Sequence, residues 1–142
     1  MSSKPSILVV DDSRDGREML VEYLAFRRFQ VAEARNGTEA LDVARRVRPD
    51  IILMDLSMPG VDGWEATRRL RADPLTQSAI IVAVTAHAFP PEQEAARAAG
   101  CDVVIAKPFD LTVLADALEA VASLGLAALA RKQVLSQRDS NP

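Results

Sequence analysis

Ile51-Ile52-Leu53-Met54-Asp55 is an unbroken apolar run closed by a carboxylate, with Pro49-Asp50 before it and Leu56-Ser57 after it. So short a run, bounded by proline and turn residues, suits a strand buried on both faces better than a helix, which needs roughly ten residues or more. Three other stretches have the same form: Ile7-Leu8-Val9-Val10 ends on Asp11-Asp12, Ile80 to Val84 on Thr85, and Val103 to Ala106 on Lys107-Pro108. Strands buried on both faces belong to parallel sheets, whose carboxyl ends lie near one edge. The pattern therefore gathers three carboxylates, a hydroxyl and an ammonium, a set able to hold a divalent cation beside a phosphoryl group.

Between these runs the apolar period becomes helical. Ser13 is placed to cap a helix in which Met19, Leu20, Tyr23, Leu24 and Phe26 recur at helical spacing. Gln30 to Ala34 is a weaker strand, followed by a turn at Asn36-Gly37 and a helix whose inward stripe is Ala40, Leu41, Ala44 and Val47, stopped by Pro49. The loop Met58-Pro59-Gly60-Val61-Asp62-Gly63 leads into a short helix carrying Trp64, Thr67 and Leu70 on one side, closed by Pro74. Pro90-Pro91 opens an Ala-rich helix that ends at Gly100, the usual place for a left-handed cap. Asp110 is a good cap for a last helix, expected from Leu111 to about Leu135 with only Gly125 to weaken it.

Strict alternation of strand and helix calls for an open parallel sheet with helices on both faces, joined by right-handed crossovers. The expected fold is α/β, a flavodoxin-like (βα)5 doubly wound sheet of strand order 2-1-3-4-5. Its topological switch point lies between strands one and three, beyond their carboxyl ends, where Asp11, Asp12 and Asp55 fall.

At 142 residues, 49% hydrophobic and 26% charged, the chain reads as one globular domain: a core over about 6–124, a helical extension over about 125–135 and a disordered tail over about 136–142. A net charge of -3 gives no case for nucleic acid or a membrane surface, and the clusters Arg45-Arg46-Arg48 and Arg68-Arg69-Arg71 read as solvated helix faces. The single cysteine, Cys101, allows no internal disulfide and suits a reducing cytoplasm, while no apolar stretch nears the ~20 residues of a membrane span and no secretory leader is expected. A cytoplasmic protein is expected. A last helix about 35 Å long would outrun the sheet and leave Leu126, Leu129 and Val134 without a partner, which favours a homodimer through that helix.

Taken singly, the residues at the strand ends have plain structural readings: Asp12 as a helix cap, Thr85 as the close of a strand. Clustered acids are different, because unpaired they repel and raise one another's pKa, whereas Mg2+, a hard cation that prefers carboxylate oxygen, relieves that cost. Lys107 precedes Pro108, so its backbone is biased to an extended form, and a cis peptide bond there would turn the ammonium back toward the crevice.

Together Asp11-Asp12, Asp55, Met58 to Gly63, Thr85-Ala86 and Lys107-Pro108-Phe109 resemble the receiver domains of two-component response regulators, over Ile7 to about Val121. The form resembled is the stand-alone, chemotaxis-response-regulator type, with no output domain expected after residue 137. The resemblance implies that Asp55 accepts a phosphoryl group from a phosphohistidine of a sensor histidine kinase or histidine phosphotransfer protein. It implies Mg2+ held by Asp12 and Asp55, by Asp11 through water, and by the Ser57 backbone carbonyl, with Thr85 bonding the phosphoryl oxygens and Lys107 pairing with them. The product would be a phosphorylation-dependent switch or relay intermediate with some self-dephosphorylation, not an enzyme acting on a separate substrate. Two positions depart from the family pattern: Val104 stands where many members carry an inward-swinging aromatic, and His87 stands two after Thr85, where the family tunes water access.

Two other readings meet specific objections. A flavodoxin-type FMN carrier needs a phosphate cradle in its first loop, which here is the acidic Asp11-Asp12-Ser13-Arg14. An aspartyl phosphohydrolase generally needs an acid two residues after its nucleophile, and here that residue is Ser57.

Overall fold

Every apolar run is a strand. The computed structural model describes residues 4–57 and 63–124. In it β1 (Ser6–Val10), β2 (Gln30–Ala34), β3 (Ile51–Asp55), β4 (Ile80–Thr85) and β5 (Val103–Ala106) alternate with α1 (Arg14–Phe26), α2 (Gly37–Val47), α3 (Gly63–Ala72), α4 (Pro90–Ala99) and α5 (Leu111–Leu124). All pairings are parallel and the order is β2-β1-β3-β4-β5, as the alternation predicts. β1 and β3 are neighbours in register, Val10 beside Met54, so Asp11 and Asp55 leave the sheet side by side.

The period of two along each strand splits the interior into two layers. Leu8, Val10, Ile52, Met54 and Ile81 pack with residues of α2, α3 and α4, including Val43, Ala66, Leu70 and Ala96. Ile7, Val9, Ile51, Leu53 and Val82 pack on the other face with Leu20 and Leu24 of α1 and Leu114 and Leu118 of α5. Every residue of β3 is buried, which explains why its sequence is continuous rather than alternating. Each such side chain contributes about 1.5–3 kcal/mol by leaving water.

Local chemistry sets the helix ends. Ser13 Oγ accepts the Gly16 N–H at 3.3 Å, Asn36 Oδ1 accepts the Glu39 N–H at 2.8 Å, and Asp110 Oδ1 accepts the Val113 N–H at 3.0 Å. Each satisfies a helix-start donor that has no partner inside its own helix. Gly100 ends α4 at φ 117°, the left-handed cap expected, while Arg48 takes the same role after α2 at φ 47°.

Three expectations need correction. In α1 only Leu20 and Leu24 of the expected stripe are fully buried; Met19 and Phe26 are 56% and 79% exposed. They are one heptad apart, beside the buried stripe of Leu20 and Leu24 rather than on it. In α2 the stripe is Ala40, Val43 and Ala44, with Leu41 partly buried and Val47 44% exposed. Val47 has the right angle but sits in the last turn, so its exposure is an end effect. Arg71 is not part of a solvated face: its guanidinium donates to the carbonyls of Gly100 (2.8 Å), Gln77 (2.6 Å) and Ala79 (2.6 Å) and pairs with Asp102 (2.6 Å). Residues 45, 46, 48, 68 and 69 are exposed, as expected. The continuation of the last helix to Leu135, the tail and the loop 58–62 lie outside the described residues.

Candidate functional site

Asp11 follows the last residue of β1 and is 9% exposed; Asp55 ends β3 and is 5% exposed; Asp12 is exposed in the loop that enters α1. Their carboxylates each offer an oxygen within 4.8 Å of the others. Backbone N–H groups two residues on hold the two buried ones: Ser13 N donates to Asp11 Oδ1 at 2.9 Å, and Ser57 N to Asp55 Oδ1 at 2.8 Å. Burial raises the Asp11 carboxyl above its ordinary value, and neighbouring Asp55 adds to the rise, against the Ser13 N–H and the Lys107 charge, which lower it. Hard oxygen donors crowded in this way fit Mg2+, which relieves their mutual repulsion.

Lys107 leaves β5 through a cis Lys107-Pro108 peptide, and its Nζ lies 3.2 Å from Asp55 Oδ2. Thr85 ends β4 and is 6% exposed, its hydroxyl accepting the His87 backbone N–H at 3.0 Å. His87 itself is exposed. A groove of about 700 Å³ opens over the carboxylates, lined also by Met19, Lys107, Pro108, Phe109 and Leu111. Asp11, Asp12, Asp55, Ser57 and Lys107 thus share one groove, and Thr85 stands at the same sheet edge, between the strands that carry Asp55 and Lys107.

The response regulator receiver domain model matches residues 7–119. The chain belongs to that family. Receiver domains are signalling switches of two-component systems, work with histidine kinases and phosphotransfer proteins, and bind Mg2+ at an acidic pocket of the kind formed here by Asp11, Asp12 and Asp55. Among its relatives, the polar-differentiation response regulator DivK of Brucella anthropi is 36% identical over 106 residues, 75% of this chain and 86% of that protein. The DivK of Brucella ovis is 34% identical over the same shares. Among solved structures, the chemotaxis protein CheY4 of Vibrio cholerae superposes with a TM-score of 0.78 at 29% identity, covering 84% of this chain and 99% of that one. A putative response regulator of Chloroflexus aurantiacus gives 0.76 at 30% identity, covering 85% and 99%.

Two features of this receiver domain escape a reading of motifs. Arg17, 15% exposed in its side chain, donates from NH1 to the Asp11 backbone carbonyl at 2.9 Å and from Nε to Glu33 Oε1 on β2 at 2.8 Å. Its signal in the sequence is position: Arg17 precedes the buried Leu20 and Leu24 by three and seven residues, a charge on the inward stripe. Gly63 begins α3 against the backbone of Asp55. At the position of the family's aromatic switch, Val104 is wholly buried in the core.

Proposed function

We propose that Asp55 of this receiver domain is the phosphoacceptor, taking the phosphoryl group from a phosphohistidine of a sensor histidine kinase or histidine phosphotransfer protein. The observation that carries the reading is the pairing of a buried carboxylate with a cation: Asp55, 5% exposed, has Lys107 Nζ at 3.2 Å and two further carboxylates beside it. A carboxylate oxygen of Asp55 attacks phosphorus as the phosphorus–nitrogen bond to the imidazole breaks, and the leaving imidazole nitrogen takes a proton from water. The transition state is loose, so the protein contributes alignment and neutralisation of charge on the equatorial oxygens. Lys107 meets one oxygen from the β5 side, and the Thr85 hydroxyl bonds another once its loop moves in. Asp12 and Asp55, with the Ser57 carbonyl, would hold Mg2+ directly and Asp11 through water; bound there, the ion supplies positive charge to the transferring group.

The acyl phosphate adds about -1.5 to -2 charges at one point of the sheet edge, and the approach of Thr85 and Lys107 repacks the face of α4 and β5. Val104 stands where many receivers move an aromatic, so the change does not run through an aromatic side chain at that position. His87, exposed beside the site, tunes the approach of water to the acyl phosphate. A reducing cytoplasm suits the free, buried Cys101.

Incubation with acetyl phosphate and Mg2+, read by intact mass under conditions that preserve acyl phosphates, tests the assignment. Wild type gains one phosphoryl group, and Asp55→Asn or addition of EDTA abolishes the gain. Equal uptake by Asp55→Asn would overturn it.

A further inference from the structure

We propose that Arg17 is a positioning residue for the acidic pair: by holding the Asp11 carbonyl it fixes the 11–12 peptide and so sets how tightly the carboxylates bind a divalent cation. The inference rests on the reading of Asp11, Asp12 and Asp55 as a cation site. Of the three carboxylates, Asp12 alone is exposed, and its direction follows from the peptide that joins it to Asp11. The Asp11 backbone is held on both sides of its Cα. The Asp11 N–H donates to the Ala34 carbonyl of β2 at 3.1 Å, and the Asp11 carbonyl accepts from Arg17 NH1 at 2.9 Å.

The guanidinium is itself held. Its Nε–H donates to Glu33 Oε1 at 2.8 Å, and Glu33 lies on β2 in register with Val9 of β1. One planar fork thus spans α1, the end of β1 and the edge strand, and a lysine, with a single nitrogen, cannot make both bonds at those positions. An ion pair whose acid is 49% exposed contributes little to stability. A charge kept on the inward stripe of α1 therefore makes sense through what it orients, as outer partners of metal ligands commonly do.

Calorimetric titration of the folded protein with Mg2+ tests this, alongside labelling by acetyl phosphate at varied Mg2+. Arg17→Met is expected to weaken Mg2+ binding about tenfold, the low end for loss of an outer-shell partner, and to recover wild-type labelling to within about twofold at saturating Mg2+. Glu33→Gln should weaken binding by less, and the double variant no more than Arg17→Met alone, because both act through one fork. Arg27→Met removes the arginine that follows α1 and binds Asp116 and Glu119 of α5, and it should leave the affinity unchanged. Arg17→Met binding within about twofold of wild type, or an equal loss in Arg27→Met, would overturn the proposal. If Arg17→Met does not fold, Glu33→Gln decides: weaker binding supports the fork and wild-type binding overturns it. Wild type that binds Mg2+ but takes no phosphoryl group would instead overturn the acceptor role of Asp55, and the calorimetric ranking would still judge Arg17.

Discussion

A Cβ added to Gly63 would lie 2.8 Å from the Asp55 carbonyl oxygen and 2.8 Å from Leu56 Cδ2. One of those atoms is backbone and cannot step aside, so α3 begins in contact with the residue that ends β3. Gly63→Ala should therefore cost about 1–3 kcal/mol in urea unfolding, as overpacked sites do, and slow labelling of Asp55. Unchanged stability would mean that the helix start yields freely. Asp11 carries a different expectation. With its carboxyl raised above the ordinary 3.8, the folded protein keeps a proton that the unfolded chain has already released. Stability of the metal-free protein should then fall as pH rises from about 4 through the raised value and level off above it, because the native state binds more protons across that window. Urea midpoints in EDTA for wild type and Asp11→Asn isolate the effect: the variant lacks the decline. Mg2+ should remove it from wild type, and its affinity should weaken as the acids take up protons.

Among the elements, α2 starts with two interlocking bonds: Asn36 accepts from the Glu39 N–H, and Glu39 Oε1 accepts from the Arg35 N–H at 3.0 Å. Asn36→Ala should lower stability by about 1 kcal/mol without touching Mg2+ binding, measured by urea midpoint and calorimetry. Asn36 reads in the sequence only as a turn residue, whereas the caps at Ser13 and Asp110, the five strands and their order were legible there. So was the carboxylate cluster, since Asp11, Asp12 and Asp55 stand at strand ends and parallel pairing does the rest. Helix faces were legible only in part: Met19 and Phe26 have the spacing of a stripe but lie on its flank, and angle alone cannot say where the sheet stops covering a helix, as at Val47. Arg17, Gly63 and Arg71 were not read because their partners come from other elements. Glu33 is sixteen residues from Arg17, and Asp102 thirty-one from Arg71. Such contacts depend on the path of the chain rather than on any local pattern.

Across the whole molecule, β3 separates the two core layers, Leu53 facing α1 and α5, and Met54 facing the layer of α2 to α4. Either change to alanine should cost about 2–5 kcal/mol in urea unfolding, since each side chain is 1% exposed or less and leaves a void in a closed layer. A loss below about 1 kcal/mol at either position would mean that its layer closes around the gap. The Arg71 guanidinium ties α3 to the starts of β4 and β5, at the opposite end of the sheet from the carboxylates. Asp102 extends the tie by accepting the Ile81 N–H at 2.9 Å, and the Asp102 N–H returns a bond to the Ile81 carbonyl at 2.8 Å. A sheet fastened at one end breathes from the other. Amide hydrogens of Ile81 and Asp102 should therefore exchange with deuterium later than those of Leu56 and Lys107, which bond Val84 and Thr85 at the open end. Cutting the fastening with Arg71→Met should bring the two sets together, leaving a sheet that opens from both ends and has lost the fixed base against which its signalling edge moves.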